Sequence, residues 1–286
     1  MQVHNLKRNT GTGNLFVEEY ESLGDALRRA GANSDPKSSN RAGRGDWTGG
    51  TASLGDAVTL GLCGWREIRP DVDAAFADIA QQIADRVDYA MVAMASVAGG
   101  IVNVPSYLGG DPECMIDFPP VEQSRMGRVV KVLVNMSASA HVAAEDMKRR
   151  GIMTVCLVDA LHKLGVGVEV WAEMPTAHKG VDKGDVYSQL VRIHDSSEML
   201  DIDNLMFAIC HPSMLRRIGF SLMEQSAWKH AGSVVGHGYG YPSKTECGSR
   251  IGADVVIEKV QSASGNWRKN AMEWVMSTVR GLGLIE

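Results

Sequence analysis

The sequence predicts an α/β protein: a doubly wound, mostly parallel sheet with helices on both faces, preceded by a mainly helical N-terminal region. Three observations carry this. Beyond Arg128 the periodicity runs strand, helix, strand, strand, helix, strand, helix, the alternation of an open sheet with covering helices. The first of those strands, VVKVLVN (129–135), is almost continuously apolar and β-branched, as a strand covered on both faces must be. Before residue 110 the clearest periods are helical.

Taken in order, S-L-G-D-A occurs at Ser22–Ala26 and again at Ser53–Ala57. Each copy opens a helical pattern with serine at the N-cap and Asp25 or Asp56 three residues on, a capping box with Asp for Glu. Between them NSDPKSSNRAGRGDWTGG reads as a flexible loop over about 33–50. In 69–87, Val72, Phe76, Ile79, Ile83 and Val87 share one helical face behind Pro70. The apolar run 90–102 is shorter than the roughly 20 residues of a membrane helix and reads as buried core. Repeated turns then lead to CMIDF, and the border between an N-terminal region (1–110) and an α/β domain (111–286) is placed there.

Within the second part a helix over about 143–164 stops at Gly165. VEVWAEM (168–174) and VYSQLVRI (186–193) read as a hairpin, or as neighbouring strands at one edge of the sheet. A helix over 204–225 is broken at His211-Pro212, because proline begins a helix but does not continue one. ADVVIEKV (253–260) reads as a strand, and a closing helix starts at Trp267.

Composition narrows function. Lys+Arg 29 against Asp+Glu 34 gives a net charge of −5, so no strong field recruits nucleic acid or anionic lipid. Five cysteines without a C-x-x-C pair and an N-terminus lacking an apolar signal core point to a reduced, cytoplasmic setting. The motifs G-x-S-x-G, H-E-x-x-H and Walker A are absent, and the chain is read as a non-enzyme. Lys148-Arg149-Arg150 and Arg216-Arg217 read as solvated helix faces, with phosphate contact as the sharper reading.

The candidate site is N-M-S-A-S at the end of the 129–135 strand, since ligands of open α/β sheets collect outside carboxyl strand ends. Asn135, Ser137 and Ser139 resemble the D-x-S-x-S of von Willebrand factor A-type domains, and the order of elements over 129–260 is similar. The resemblance implies a divalent cation, Mg²⁺, at the strand tips, held here by Ser137 and Ser139; the carboxylates on offer to complete the site are Asp195, Asp201 and Asp203, with Asp195 taken as the metal ligand and Ser197 beside it. Asparagine in place of aspartate supplies only a neutral oxygen and weakens such a site. It also implies a protein partner, such as an AAA+ ATPase. W-T-G-G, YLGGDPECMIDF and HPSMLRRIGF resemble bacteriophage and prophage proteins, which implies a phage assembly component. Tyr239 and Tyr241, in the loop GHGYGYPSK, complete the expected ligand face. The alternative function is a nucleic-acid-binding accessory protein, with the two tyrosines stacking bases.

Overall fold

The computed structural model describes residues 1–8, 11–41, 45–84, 89–91, 93–118, 120–122, 128–181, 183–260 and 267–285. Its elements in chain order are β1 (Gln2–Lys7), β2 (Asn14–Tyr20), α1 (Leu23–Gly31), α2 (Leu54–Cys63), α3 (Arg69–Ala84), β3 (Tyr89–Met91), β4 (Met94–Ser96), β5 (Ile101–Val102), α4 (Val104–Leu108), β6 (Met115–Asp117) and β7 (Pro120–Glu122). Then come β8 (Val129–Asn135), α5 (Ala144–Lys163), β9 (Gly167–Ala177), β10 (Val186–His194), α6 (Ile202–Cys210), a π-turn (Met214–Gly219), α7 (Phe220–Glu224), α8 (Ala231–Gly236), β11 (Tyr241–Pro242), α9 (Gly248–Ile251), β12 (Val255–Ile257) and α10 (Trp267–Gly281).

A seven-stranded sheet is ordered β1-β2-β10-β9-β8-β12, with β11 added to β9. β9, β8 and the edge strand β12 are mutually parallel, as the α/β reading expects. Strands 168–174 and 186–193 are antiparallel neighbours, as the hairpin reading has it, but they lie in the middle of the sheet and not at an edge, because β2 pairs with the outer side of β10. Side-chain alternation divides the two faces. Val130, Val132 and Val134 join the large core under α3, α5, α6 and α10, whereas Leu133 turns to the opposite face with Trp171, Val186 and Cys247.

Local signals explain most elements. Ser22 Oγ accepts from Asp25 N and caps α1; Ser53 and Asp56 form the full reciprocal box on α2. Gly165, at φ 71, lets the chain leave α5 through the left-handed region and enter β9. His211 sits at the break before Pro212, buried in contact with Trp65, and its burial pulls its pKa down to about 4.

Three further expectations change. The border near residue 110 does not separate two sheets: β2 pairs in parallel with β10, Leu15 opposite Val186, and β1 forms the outer edge. The N-terminal region therefore contributes strands as well as helices, and long-range pairing overrides the polar look of QVHNLK. The apolar run 90–102, read as core, is not buried over 93–102; the burial of 90–92 lies outside the described residues. Met94 and Ile101 stand on a small β4-β6-β5 sheet with exposed Val97 between those strands, and no described residue from 93 to 118 is buried. The loop 33–50 is anchored: Glu224 accepts from Asn33 Nδ2, Lys37 N and Ser39 N, while buried Arg217 donates to Ser39 O and Thr51 O.

The face around Leu133 is closed by residues 243–253, held down by a buried carboxylate. Glu173 accepts from Ser188 Oγ at 2.8 Å and from Glu246 N and Cys247 N at 3.2 Å. Beside it Arg8 pairs with Glu246 at 2.6 Å, both fully buried. Burial raises the Glu173 pKa from 4.5 to about 7. The folded state thus holds this proton more tightly than the unfolded state. Its contribution is complete below about pH 4.5 and is lost as pH rises through about 7, a swing of roughly 3 kcal/mol. Urea unfolding of Glu173→Gln is expected to show a flatter stability profile across that window than the parent; parallel profiles would refute this assignment.

Candidate functional site

Asn135 ends β8 fully buried and acts as a knot. Its Oδ1 accepts from Ser137 N at 3.0 Å and Ser137 Oγ at 2.6 Å. Its Nδ2 donates to Ser243 O at 3.1 Å, with Thr245 Oγ1 and Glu258 Oε2 both at 3.4 Å. An aspartate has no N–H for those acceptors, so the amide is the residue this geometry requires. Ser137 is buried with its hydroxyl committed to Asn135, whereas Ser139 is exposed.

The loop from Asn135 to α5 is pinned at both ends by arginines. Arg150, on α5, donates from Nη1 to Asn135 O. Arg216 donates from Nη2 to Val142 O at 2.6 Å and from Nη1 to Trp47 O at 2.7 Å. The Arg216 guanidinium lies 4.6 Å over the Trp47 ring, and Trp47 Nε1 donates to Ala140 O at 3.3 Å. Of the two basic clusters read as solvated, Lys148 and Arg149 do reach solvent in part, but Arg150, Arg216 and Arg217 are 8%, 1% and 1% exposed, because their helices turn these positions inward.

The tyrosine loop closes over the same strand ends. Tyr241 and Pro242 pair with Ala177 and Thr176 at the tip of β9. Tyr239 holds φ 66, the one non-glycine positive φ among the described residues. Its ring stacks on Phe220 at 3.8 Å and its hydroxyl donates to Glu224. Such a backbone costs of order 1 kcal/mol or more and persists when its surroundings enforce it, typically at binding sites. The result is a hollow of about 390 Å³ lined by Trp47, Ser137, Ser139, Phe220, Tyr239 and Tyr241, among others. A second hollow of about 360 Å³ shares Ser139 and Tyr241 and adds His141 and Lys259.

Five expected site residues thus meet at one rim: Asn135 beneath, with Ser137, Ser139, Tyr239 and Tyr241 above it. Asp195 and Ser197 do not join them. Because β10 runs antiparallel to β9, its end returns the chain to the rim where β8 begins, and Ser196 lies beside Gly167, the partner of Val129. Six residues of β8 separate the two rims, about 20 Å at the rise of a strand. Asp195 there accepts from Ser197 N and Oγ at 3.0 and 2.7 Å, bonds that hold its pKa below the usual carboxylate range, and from Arg192 at 2.8 Å. Asp201 caps α6, and Asp203 pairs with Arg66 and Arg69.

The expected Mg²⁺ set of Ser137, Ser139 and Asp195 is therefore not assembled. The carboxylate beside Asn135 is Glu258, whose Oε2 is also 3.3 Å from Thr245 N. Asn135 Oδ1 is taken by Ser137, and no group of three His, Cys, Asp or Glu suited to a metal exists among the described residues. These donors do not fit a divalent cation, which favours several charged oxygens. Sequence reading also missed Trp47, Arg216, Phe220 and Lys259 as wall residues. Tertiary contact assembles them, and only the inward phase of Arg150, three residues after Met147, was open to a helical-wheel reading.

Fold and rim define an α/β protein with a ligand-sized hollow at the carboxyl ends of its central strands. The chain belongs to the family DUF7192, a domain of unknown function whose family model matches residues 4–286. The match includes β2 and the C-terminal strands alike. Neither the curated proteins nor the solved structures include a significant match. No helix among the described residues is long and apolar enough to cross a membrane.

Proposed function

We propose that this chain is a binding module that grips a segment of a protein partner in the rim hollow. The carrying observation is the convergence of Ser139, Tyr241 and the strained Tyr239 on one concave, partly aromatic surface built on rigid strand ends. The resemblance to A-type domains is supported by the serine-bearing strand, which is parallel to both of its neighbours, and by the antiparallel β9–β10 pair beside it. An AAA+ ATPase or a phage assembly component is the kind of partner that resemblance implies, in a cytoplasmic setting. Nucleic acid is the weaker reading. The arginines it relied on, Arg150, Arg216 and Arg217, are buried and bonded to protein carbonyls, whereas phosphate binding uses exposed cations.

The test is affinity capture from cells carrying this gene, with identification of what is retained. Ser139→Trp fills the hollow and Tyr241→Ala removes its half-exposed wall. Each is expected to reduce capture of the same protein about tenfold, the effect of roughly 1.4 kcal/mol. Met199→Ala, a control that alters a 94% exposed side chain near the opposite rim, is expected to change nothing. Equal capture by all three variants would remove the proposal.

A further inference from the structure

We infer that the rim selects an anion, and that its occupant is an acidic peptide segment of the partner; this rests on the binding-module reading above. Among the described residues, fifteen line the first hollow and eight the second, Ser139, Tyr241 and Pro242 lining both, and none of them is Asp or Glu. In a chain with 34 acidic residues and a net charge of −5, that exclusion sets the rim apart. The charged lining residues are Arg216 in the first hollow and Lys259 in the second, with titratable His141 beside Lys259.

These cations are tied to neutral acceptors. Arg216, 1% exposed, donates to two backbone carbonyls, and Lys259 Nζ donates to Pro242 O at 2.8 Å. Arg150, under the same loop, bonds Asn135 O and Met136 Sδ, and none of the three has a carboxylate within ion-pair distance among the described residues. Glu258 lines neither hollow and faces Asn135 and Thr245 instead. A guanidinium withdrawn from water without a counter-ion is costly, and an anion brought to it recovers part of that cost in a low-dielectric setting. A cation brought to the same hollows meets no carboxylate among their described lining residues.

The form of the anion follows from access. Polynucleotides bind through many exposed cations along a track, whereas here Lys259 is partly exposed and Arg216 is buried behind Trp47. One or two carboxylates with apolar neighbours match that supply: a carboxylate between Lys259 and the Ser139 hydroxyl, and apolar side chains against Trp47, Phe220 and Tyr241.

The test is selection of a random dodecapeptide library on the full chain, followed by fluorescence anisotropy of the enriched peptides. The enriched pool is expected to be rich in Asp and Glu. Replacing those residues by Asn and Gln in the peptide, or introducing Lys259→Glu or Ser139→Asp in the protein, is expected to weaken binding at least tenfold, and EDTA to leave it unchanged. An unenriched pool, a pool without acidic bias, loss of binding in EDTA, or tighter binding of a labelled single-stranded oligonucleotide displaced by Ser139→Trp would each overturn the inference. Neutral peptides whose binding is lost in Ser139→Trp would overturn it and leave the binding-module reading standing. Acidic peptides that bind every variant equally would count against both.

Discussion

Replacing Asn135 by aspartate is expected to destabilise the protein by about 3–5 kcal/mol near neutral pH, although the side chain keeps its shape. The amide donates to Ser243 O at 3.1 Å and stands 3.4 Å from the Glu258 carboxylate. A carboxylate there sets oxygen against oxygen and puts a negative charge in a fully buried position beside the carboxylate of the exposed Glu258. Burial and the Glu258 charge both raise the pKa of the new acid. Its penalty is therefore smallest at acid pH and grows as pH rises through the folded-state value. Urea midpoints of parent and variant at about pH 5 and about pH 8 check this. A variant within about 1 kcal/mol of the parent at the higher pH would remove the donor role from Asn135, and with it the reason this rim departs from the D-x-S-x-S pattern. The same measurement separates two accounts of the asparagine: a weakened cation ligand, which aspartate would improve, and a structural donor, which aspartate destroys.

The second large effect lies behind the site, where α5 crosses α6. A Cβ added at Gly151 would stand 2.5 Å from both Cys210 Cα and Cys210 Sγ, a separation at which one helix must move. Gly151→Val is expected to cost about 3 kcal/mol or more, since overpacking a dense contact against backbone cannot be relieved by a rotamer change. That outweighs the gain of roughly 0.5–1 kcal/mol from removing a glycine inside a helix. Gly232→Ala in α8, where an added Cβ meets nothing within 4 Å, is the control and is expected to stay within about 1 kcal/mol of the parent. Since α5 carries Arg150 to Asn135 O, displacement of α5 should also loosen the rim loop. Peptide binding by Gly151→Val is expected to fall together with its unfolding midpoint.

Legibility differed sharply between elements. The Ser53–Asp56 box and the 129–135 strand were plain because each signal is local: a hydroxyl three residues from an N–H, or an unbroken β-branched run. β2 was not plain. Glu18 lies in its middle, yet it is 3% exposed and accepts from Tyr187 and Ser226 hydroxyls at 2.7 Å. A buried glutamate with partners about 170 and 208 residues away looks like a surface residue to any local reading. The run at 90–102 failed in the other direction. Its composition is that of a core, but its short strands pair only within two small sheets, β3-β7 and β4-β6-β5, and leave Val97 71% exposed. Four of the rim residues were readable as a strand end and a glycine-tyrosine loop. Their meeting was not, because it depends on β11 folding back onto β9.

By itself the sequence determined the capped starts of α1 and α2, the stop of α5 at Gly165, the strands β8, β9 and β10, and that hydroxyls sit where β8 gives way to α5, since caps, periods and turns act over a few residues. Tertiary structure alone decided that Asp195 falls on the far rim, that three arginines turn inward, and that Tyr241 reaches Ser139. Strand direction and helix phase relative to a core are properties of the packed whole, where burying apolar area over the entire chain outweighs the preference of any one residue.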